Sequence, residues 1–412
     1  MSGLIKALKA YPEYDSSGNL TIGGKLVLDD GREVMTSVAN HSSKKETVTF
    51  LETGKAVGYI NELLSPKLVN ISPNDYKKID LWLDRIDQSP NKQSLGLNTT
   101  HLVSKLIYKA GALVSSKPLY IYLNEIFSQN FQTTALKQIP IPIFTLISGA
   151  SHGSASLNFQ EFSIIFASNH RYSESVRRAS DLHKELEKVF RYRNINSGVG
   201  NDGAYVPNLS SNFDALEIIK EALLKNGYKV GIDVFFALDI AASYFYKGGK
   251  YYVSEEVGTS DTNHLLELYE KIFKEYRFLI LEDPFTETDT EGWKQAMLKF
   301  SNRAYLLGDD LLMTNKTKLE KAAKNNLCSL ADVKITLQPT IWNVMDFISA
   351  CQKLSIKVVM SQTAFETNDD FISDLAVATQ SQYVKFGPLI RGERVAKHNR
   401  LLLIEEEIFP HE

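Results

Sequence analysis

The sequence predicts an α/β protein, a (β/α) barrel preceded by a small α+β domain. Three observations carry that expectation. From residue 234 to residue 385, short apolar runs recur and each ends on a polar residue: Asp239, Glu282, Asp309, Lys334, Ser361 and Lys385. After Glu282 the ends are spaced by about 25 residues, the length of one strand, one helix and two loops. With 412 residues the chain exceeds one ordinary core, so two domains are expected, at residues 1–131 and 132–412.

The first domain begins with strands. Leu20–Leu28 and Glu33–Val38 flank Asp29-Asp30-Gly31-Arg32, and the Asp-Gly step is a hairpin signal. A third run, Glu46–Leu51, is expected to complete a three-stranded meander after the polar loop Ala39–Lys44. Helical periodicity follows over Tyr76–Ile86, Thr99–Ala112 and Leu119–Phe127. Ser72, with Pro73 after it, and Asn98 are the expected N-caps.

The second domain opens at Pro140 and the apolar run Ile143–Ile147. The small-residue loop Ser148–Ser154 carries His152, and Phe159–Ile165 is expected to be a strand with Glu161 inside it. Ser173 is the expected cap of an amphipathic helix running to about Arg191. His183 lies on its apolar face and is expected to pack rather than react. A glycine-rich loop, Gly198–Gly203, contains Asp202. From there helix and strand alternate, beginning with a helix over 213–226 capped by Asn212 and stopped by Gly227. The closing helix is expected over Gly392–Glu407.

Three of the strand exits are acidic: Asp239, Glu282 and Asp309. Apolar runs of this length, bounded by turn residues, are buried parallel strands. A carboxylate at the exit of such a strand is poorly explained by packing. Three on one barrel converge on one rim, where they repel one another unless a cation lies between them. Hard oxygen donors in that number favour Mg²⁺, with Mn²⁺ and Ca²⁺ as alternatives.

Composition removes other classes. A 43% hydrophobic and 23% charged chain is globular, and a net charge of −3 leaves no basic surplus for nucleic acid or an anionic membrane. Cys328 and Cys351 make no disulfide framework, which points to a reducing cytoplasm. No apolar stretch approaches the roughly 20 residues of a membrane span, and Met1–Leu20 has no signal-peptide core.

Two lysines join the rim. Lys334 and Lys385 each sit within an apolar, β-branched or aromatic run. A lysine buried near a metal and a second cation has its pKa lowered toward that of a base. Metal and lysine together suit removal of a weakly acidic proton beside a carboxylate, with positive charge stabilising the intermediate. Glu161 and Asp202 are candidates for the acid that protonates a leaving hydroxyl.

At this point the chain resembles the enolases. Gly200-Asn201-Asp202-Gly203, Ala237–Ser243, Glu282-Asp283-Pro284-Phe285 and Gly308-Asp309-Asp310-Leu311 carry the likeness, with Phe371–Val377 and Glu393–Arg400. It is weak before residue 130 and strong after 140. A lysine or histidine base working with Mg²⁺ is the established pattern of that superfamily. The resemblance implies a TIM-type barrel with an N-terminal α+β domain, at least a homodimer, and a small-molecule substrate. It implies that Asp239, Glu282 and Asp309 hold Mg²⁺, and that Lys334 takes the C2 proton of 2-phosphoglycerate. Glu161 and Asp202 would then match the two glutamates on the acid side, and His152 the histidine of a mobile loop. Lys385 would match a ligand of the substrate carboxylate.

The departures matter as much. Enolases carry Ser-His-Arg-Ser-Gly-Glu where this chain has Ser361-Gln362-Thr363-Ala364-Phe365-Glu366. The missing arginine and serine would hold the substrate phosphate, leaving Ser361 and Gln362 as the substrate-binding candidates there. Loss of a bidentate charge-assisted contact costs about 2–4 kcal/mol, roughly 30- to 1000-fold. Asp202 is one methylene shorter than glutamate, Asn201 replaces an aspartate, and Val38–Ser43 lacks the serine loop that helps bind a second Mg²⁺. Three functions are compatible with this pattern: a hydro-lyase forming phosphoenolpyruvate, an inactive paralogue with a binding or scaffold role, and a metal-dependent lyase or isomerase for another carboxylic acid.

Overall fold

The computed structural model describes residues 3–39, 48–150, 153, 157–168, 170–253 and 260–410. The chain opens with an antiparallel meander of β1 (Ile5–Tyr14), β2 (Leu20–Leu28) and β3 (Glu33–Val38), in that spatial order. The expected turn joins β2 to β3, with Gly31 at φ 86° where a side chain would be strained. The third strand is β1 and not the run 46–51. Residues 46 and 47 lie outside the described residues, and 48–51 form no strand. A register shift between Ile5 and Ala7 breaks the alternation of β1. Pro12 further weakens its strand signature, yet is tolerated because β1 is the edge strand of the meander among the described residues.

Among the described residues the α-helices that follow are α1 (Thr53–Gly58), α2 (Ser65–Leu68), α3 (Tyr76–Ile86), α4 (Leu97–Val114) and α5 (Leu119–Asn130). Helix α4 is buried along most of its length and lies on the meander. A Cβ at Gly24 would come within 3.0 Å of Leu102 and of Leu106, so the glycine sets how closely the helix approaches. Ser72 caps the turn at Pro73 as expected, accepting from Asn74 N at 3.2 Å. Asn98 does not cap α4. Its amide pairs both backbone groups of Leu51, at 3.0 and 2.9 Å, and ties down the segment before α1.

The barrel contains β4 (Ile141–Ser148) and β5 (Glu161–Phe166); a hairpin of β6 (Ser197–Val199) and β7 (Tyr205–Pro207) attaches outside β4. Next come β8 (Val234–Asp239) and a small hairpin, β9 (Tyr246–Lys247) with β10 (Lys250–Tyr251). The remaining barrel strands are β11 (Phe278–Glu282), β12 (Tyr305–Gly308), β13 (Leu330–Lys334), β14 (Lys357–Ser361) and β15 (Tyr383–Lys385). The circular order is β4-β5-β8-β11-β12-β13-β14-β15, closed by pairing of β15 with β4. Each strand sends one residue into a central layer: Ile143, Ile165, Ala237, Ile280, Leu307, Leu330, Val359 and Tyr383. The barrel is therefore packed shut below its rim.

One strand is reversed. β5 runs antiparallel to both β4 and β8, whereas the other neighbouring pairs around the barrel are parallel. Glu161 consequently begins its strand instead of lying inside it, and sits at the rim where the other strands end. Outside the barrel lie α6 (Tyr172–Tyr192), α7 (Asn212–Lys225), α8 (Thr262–Glu275) and α9 (Thr290–Phe300). They continue with α10 (Lys316–Lys324), α11 (Ile341–Lys353), α12 (Phe371–Ala378) and α13 (Gly392–Ile408). Two caps differ from expectation. Ser173 lies in the first turn of α6, whose Tyr172 and Ser173 N–H groups donate to Glu405 of α13. Helix α7 is capped by Ser211 in a reciprocal box with Asp214, while Asn212 accepts from Phe159 N at 3.1 Å.

His183 packs as expected, its ring 4.4 Å from that of Tyr205. Cys328 and Cys351 are buried free thiols, and burial pushes Cys328 up to about 12, so neither is poised to react. Among the described residues, no helix is long and apolar enough to cross a membrane.

Candidate metal centre and active site

Strand register lays out the rim. Glu161, Asp239 and Glu282 are direct partners across β5, β8 and β11. Lys334, Ser361 and Lys385 are direct partners across β13, β14 and β15. Closure of the barrel sets an acidic arc facing a basic one. Asp309 follows the last residue of β12, between the two arcs.

The lysines are held by these acids. Lys385 Nζ lies 2.7 Å from both oxygens of Glu282, 3.7 Å from Glu161, 3.8 Å from Asp239 and 3.9 Å from Asp332. Lys334 Nζ lies 2.5 Å from Asp309 Oδ2. Burial works against the Lys334 ammonium, but Asp309 and Asp332 outweigh it and hold its pKa above the ordinary lysine value. The lowered pKa expected from sequence is that of a lysine beside a bound metal, and this raised value is that of the site without one. The carboxylates alone keep Lys334 charged, and a divalent cation shared with Asp309 would weaken that hold.

The acids show the opposite strain. Burial, then the charge of Glu282, raises Asp239 well above the usual carboxylate range. Burial lifts Glu282 to about 7 against the pull of Lys385. Asp332 is raised by burial and then by Asp309. Oxygens of Glu282, Asp309 and Asp332 all lie within 4.8 Å of one another, as do those of Asp283, Asp309 and Asp310. Among the described residues, neither oxygen of Asp332 has a hydrogen-bond partner. Hard anionic donors this close, one of them orphaned in the interior, fit a divalent cation.

Around the remaining candidate acids, Ser148 Oγ donates to Asp202 Oδ2 and Ala204 N donates to Oδ1 at 3.1 Å. Ser148 is the register partner of Glu161, so the same strand end supports both acids. Thr145 Oγ1 donates to Glu161 at 3.3 Å. Gln160, beside it, donates to Asp239 Oδ2 at 3.0 Å. His152 lies outside the described residues.

Asp283 organises the rim. Its two oxygens accept from Asp309 N at 3.1 Å and Asp310 N at 2.7 Å. Asp283 and Ala241, each just past a strand-end acid, have φ of 38° and 46°, a strained region for residues with a Cβ. Ser243 Oγ donates to Asp310 Oδ2 at 3.5 Å.

Residues 136–411 match the sequence family described as the enolase C-terminal TIM barrel domain, and residues 5–123 match the enolase N-terminal domain. The chain belongs to the enolase family. It is 35% identical to the enolase of Ehrlichia chaffeensis (strain ATCC CRL-10679 / Arkansas) over 98% of this chain and 96% of that one. It is 33% identical to the enolase of Ehrlichia canis (strain Jake) and 35% to that of Ehrlichia ruminantium (strain Gardel), with the same coverage. A lyase of enolase type is the activity this membership supports.

The segment that departs from the enolase pattern is turned onto its own backbone. Gln362 Nε2 donates to Phe386 O at the exit of β15. Thr363 Oγ1 donates to Phe365 O at 2.7 Å and to Glu366 at 3.1 Å. The guanidinium of Arg394 is bonded to Thr363 O and Ala364 O. Arg391 is engaged by Glu393, Gly200 O and Ser16 O. Both arginines near the altered segment therefore serve as struts.

The N-terminal unit abuts this edge of the enolase barrel. Lys105 of α4 donates to Ser37 O at 2.7 Å and pairs with Asp369 at 2.5 Å, both side chains nearly buried. Ser37 Oγ donates to Thr367 Oγ1 at 2.8 Å, and His101 Nδ1 lies 2.9 Å from Gln338 O.

Sequence reasoning missed three contributors: Asp332, Asp283 and the support from Gln160. Asp332 had a usable signal, since strand residues two apart share a face and Lys334 was already assigned to the interior. Asp283 and Gln160 each adjoin a named acid but carried no periodicity of their own.

Proposed function

We propose that this chain is a Mg²⁺-dependent hydro-lyase that converts 2-phosphoglycerate to phosphoenolpyruvate and water in glycolysis. The observation that carries this reading is the opposed rim, with Lys334 and Lys385 facing Glu161, Asp239 and Glu282. Asp239, Glu282 and Asp309 would hold the cation. When bound, Mg²⁺ supplies positive charge beside the substrate carboxylate, where negative charge accumulates after deprotonation. Lys385 positions that carboxylate. Lys334 Nζ, once deprotonated, takes the proton from C2. Glu161 and Asp202, supported from Ser148, serve the leaving hydroxyl on the other side. As the C2–H and C3–O bonds break, the carbon–carbon double bond forms, and the hydroxyl leaves as water with a proton from the acid side. His152 keeps the loop role that the family pattern implies. The same reading makes the protein a cytoplasmic homodimer or larger homo-oligomer.

The test is formation of phosphoenolpyruvate from 2-phosphoglycerate, followed by absorbance, with and without Mg²⁺. Metal-dependent product supports the reading. No product at any Mg²⁺ concentration refutes it. A second reading rests on Thr363: with Thr363 in the position of the phosphate-binding arginine and Arg391 and Arg394 engaged elsewhere, a non-phosphorylated hydroxy acid becomes the substrate class. Turnover in a screen of such acids would then replace 2-phosphoglycerate while keeping Lys334 as base.

A further inference from the structure

Asp332 lies inside strand β13, two residues before Lys334. Residues two apart on a strand share a face, so both enter the barrel interior. The Asp332 side chain is 0% exposed, and neither oxygen has a hydrogen-bond partner among the described residues. Its strand neighbours Leu330, Ala331 and Val333 are apolar and buried, so packing alone asks for an apolar residue here. A buried carboxylate without a donor is among the costliest groups a fold can contain.

Its surroundings give it a purpose. An oxygen of Asp332 lies within 4.8 Å of oxygens from both Glu282 and Asp309. Lys385, the nearest paired cation, is 3.9 Å away and holds Glu282 at 2.7 Å instead. Five carboxylates, from Glu161, Asp239, Glu282, Asp309 and Asp332, thus surround two ammonium groups, leaving a formal excess of three negative charges. Without Asp332 one divalent cation would balance the set. With it, the site retains a negative charge after one such ion binds, which strengthens cation capture.

We propose that Asp332 is a ligand of the divalent cation in this chain, acting with Glu282 and Asp309. The inference rests on the metal-site reading above and adds a donor that reading does not include. It is tested by titrating the purified protein with Mn²⁺ and following free Mn²⁺ by electron paramagnetic resonance. Wild type, Asp332→Asn and Asp332→Leu are compared, with the Mn²⁺-induced rise in Tm as a second readout. The expected result is a dissociation constant at least tenfold higher in both variants, with a smaller rise in Tm. Equal binding in all three overturns the role of Asp332 and leaves the metal reading intact. No Mn²⁺ binding by wild type overturns both. If neither variant folds, Mn²⁺-soaked crystals of wild type decide: an anomalous peak in contact with an Asp332 oxygen supports the assignment, and a peak elsewhere ends it.

Discussion

Replacing Lys334 by alanine separates the chemical part of this residue from its electrostatic part. Lys334 Nζ lies 2.5 Å from Asp309 Oδ2, with Asp332 also beside it. As a general base its loss removes about 10²- to 10⁴-fold in rate, or roughly 3–5 kcal/mol of barrier. As a charge it opposes the cation. Two unit charges about 5 Å apart interact by roughly 3 kcal/mol at an effective dielectric near 20. Lys334→Ala therefore binds Mn²⁺ at least tenfold more tightly while losing chemistry. The assay is exchange of the substrate C2 hydrogen with deuterium from solvent, read by mass spectrometry, alongside Mn²⁺ titration. Exchange within about threefold of wild type would remove Lys334 from the role of base. Loss of exchange together with loss of Mn²⁺ binding would make it a structural residue, and the reasoning would fail in that case too.

Two further outcomes follow from buried charges away from the rim. Asp80 is 1% exposed, and burial raises it to about 7 despite its bond from Trp342 N at 2.9 Å. The folded state then holds a proton that the unfolded state releases near pH 3.8, so stability falls as pH rises from about 4 to about 7. Asp80→Asn removes that loss, worth on the order of 4 kcal/mol, and its advantage in Tm over wild type grows from pH 5 to pH 8. Parallel melting profiles across that range would contradict the assignment. Among the described residues, Lys105→Met leaves buried Asp369 with Lys109, 3.8 Å away, as its cation partner. It should destabilise the fold by about 3–5 kcal/mol, seen as a lower Tm, and Asp369→Asn in the same chain should recover part of the loss.

What could be read in advance depended on where each signal lay. The strand-end acids were legible because an apolar run that stops on a carboxylate breaks a local pattern at a definite residue. Lys334, Ser361 and Lys385 yielded to the same logic, and all three end their strands. Asp332 escaped because it interrupts such a run instead of ending it, leaving its two-residue spacing from Lys334 as the local signal of its place. The direction of β5 was equally hidden: a short apolar strand has the same pattern whichever way it runs. Caps failed where the donor set was remote, as when Glu405 serves the start of α6. β1 failed because a bulge and a proline disguise it. The charge that the surrounding acids hold on Lys334 in the absence of metal was not legible, since it depends on carboxylates gathered from several strands.

Barrel closure between β15 and β4 has a kinetic consequence. Glu161, Asp239 and Glu282 stand on strands that are neighbours in the sheet and nearer to one another along the chain than Lys385 is to β4. Lys385 arrives on the strand that joins the last part of the barrel to the first. Loop-closure entropy favours short connections, so pairing that spans the whole barrel sequence comes late. During refolding the acids therefore gather before the ammonium that neutralises them. A divalent cation in the refolding medium is expected to relieve their mutual repulsion in that interval, which refolding rates measured with and without Mg²⁺ check. The barrel's seam is thus also where its folding becomes sensitive to salt.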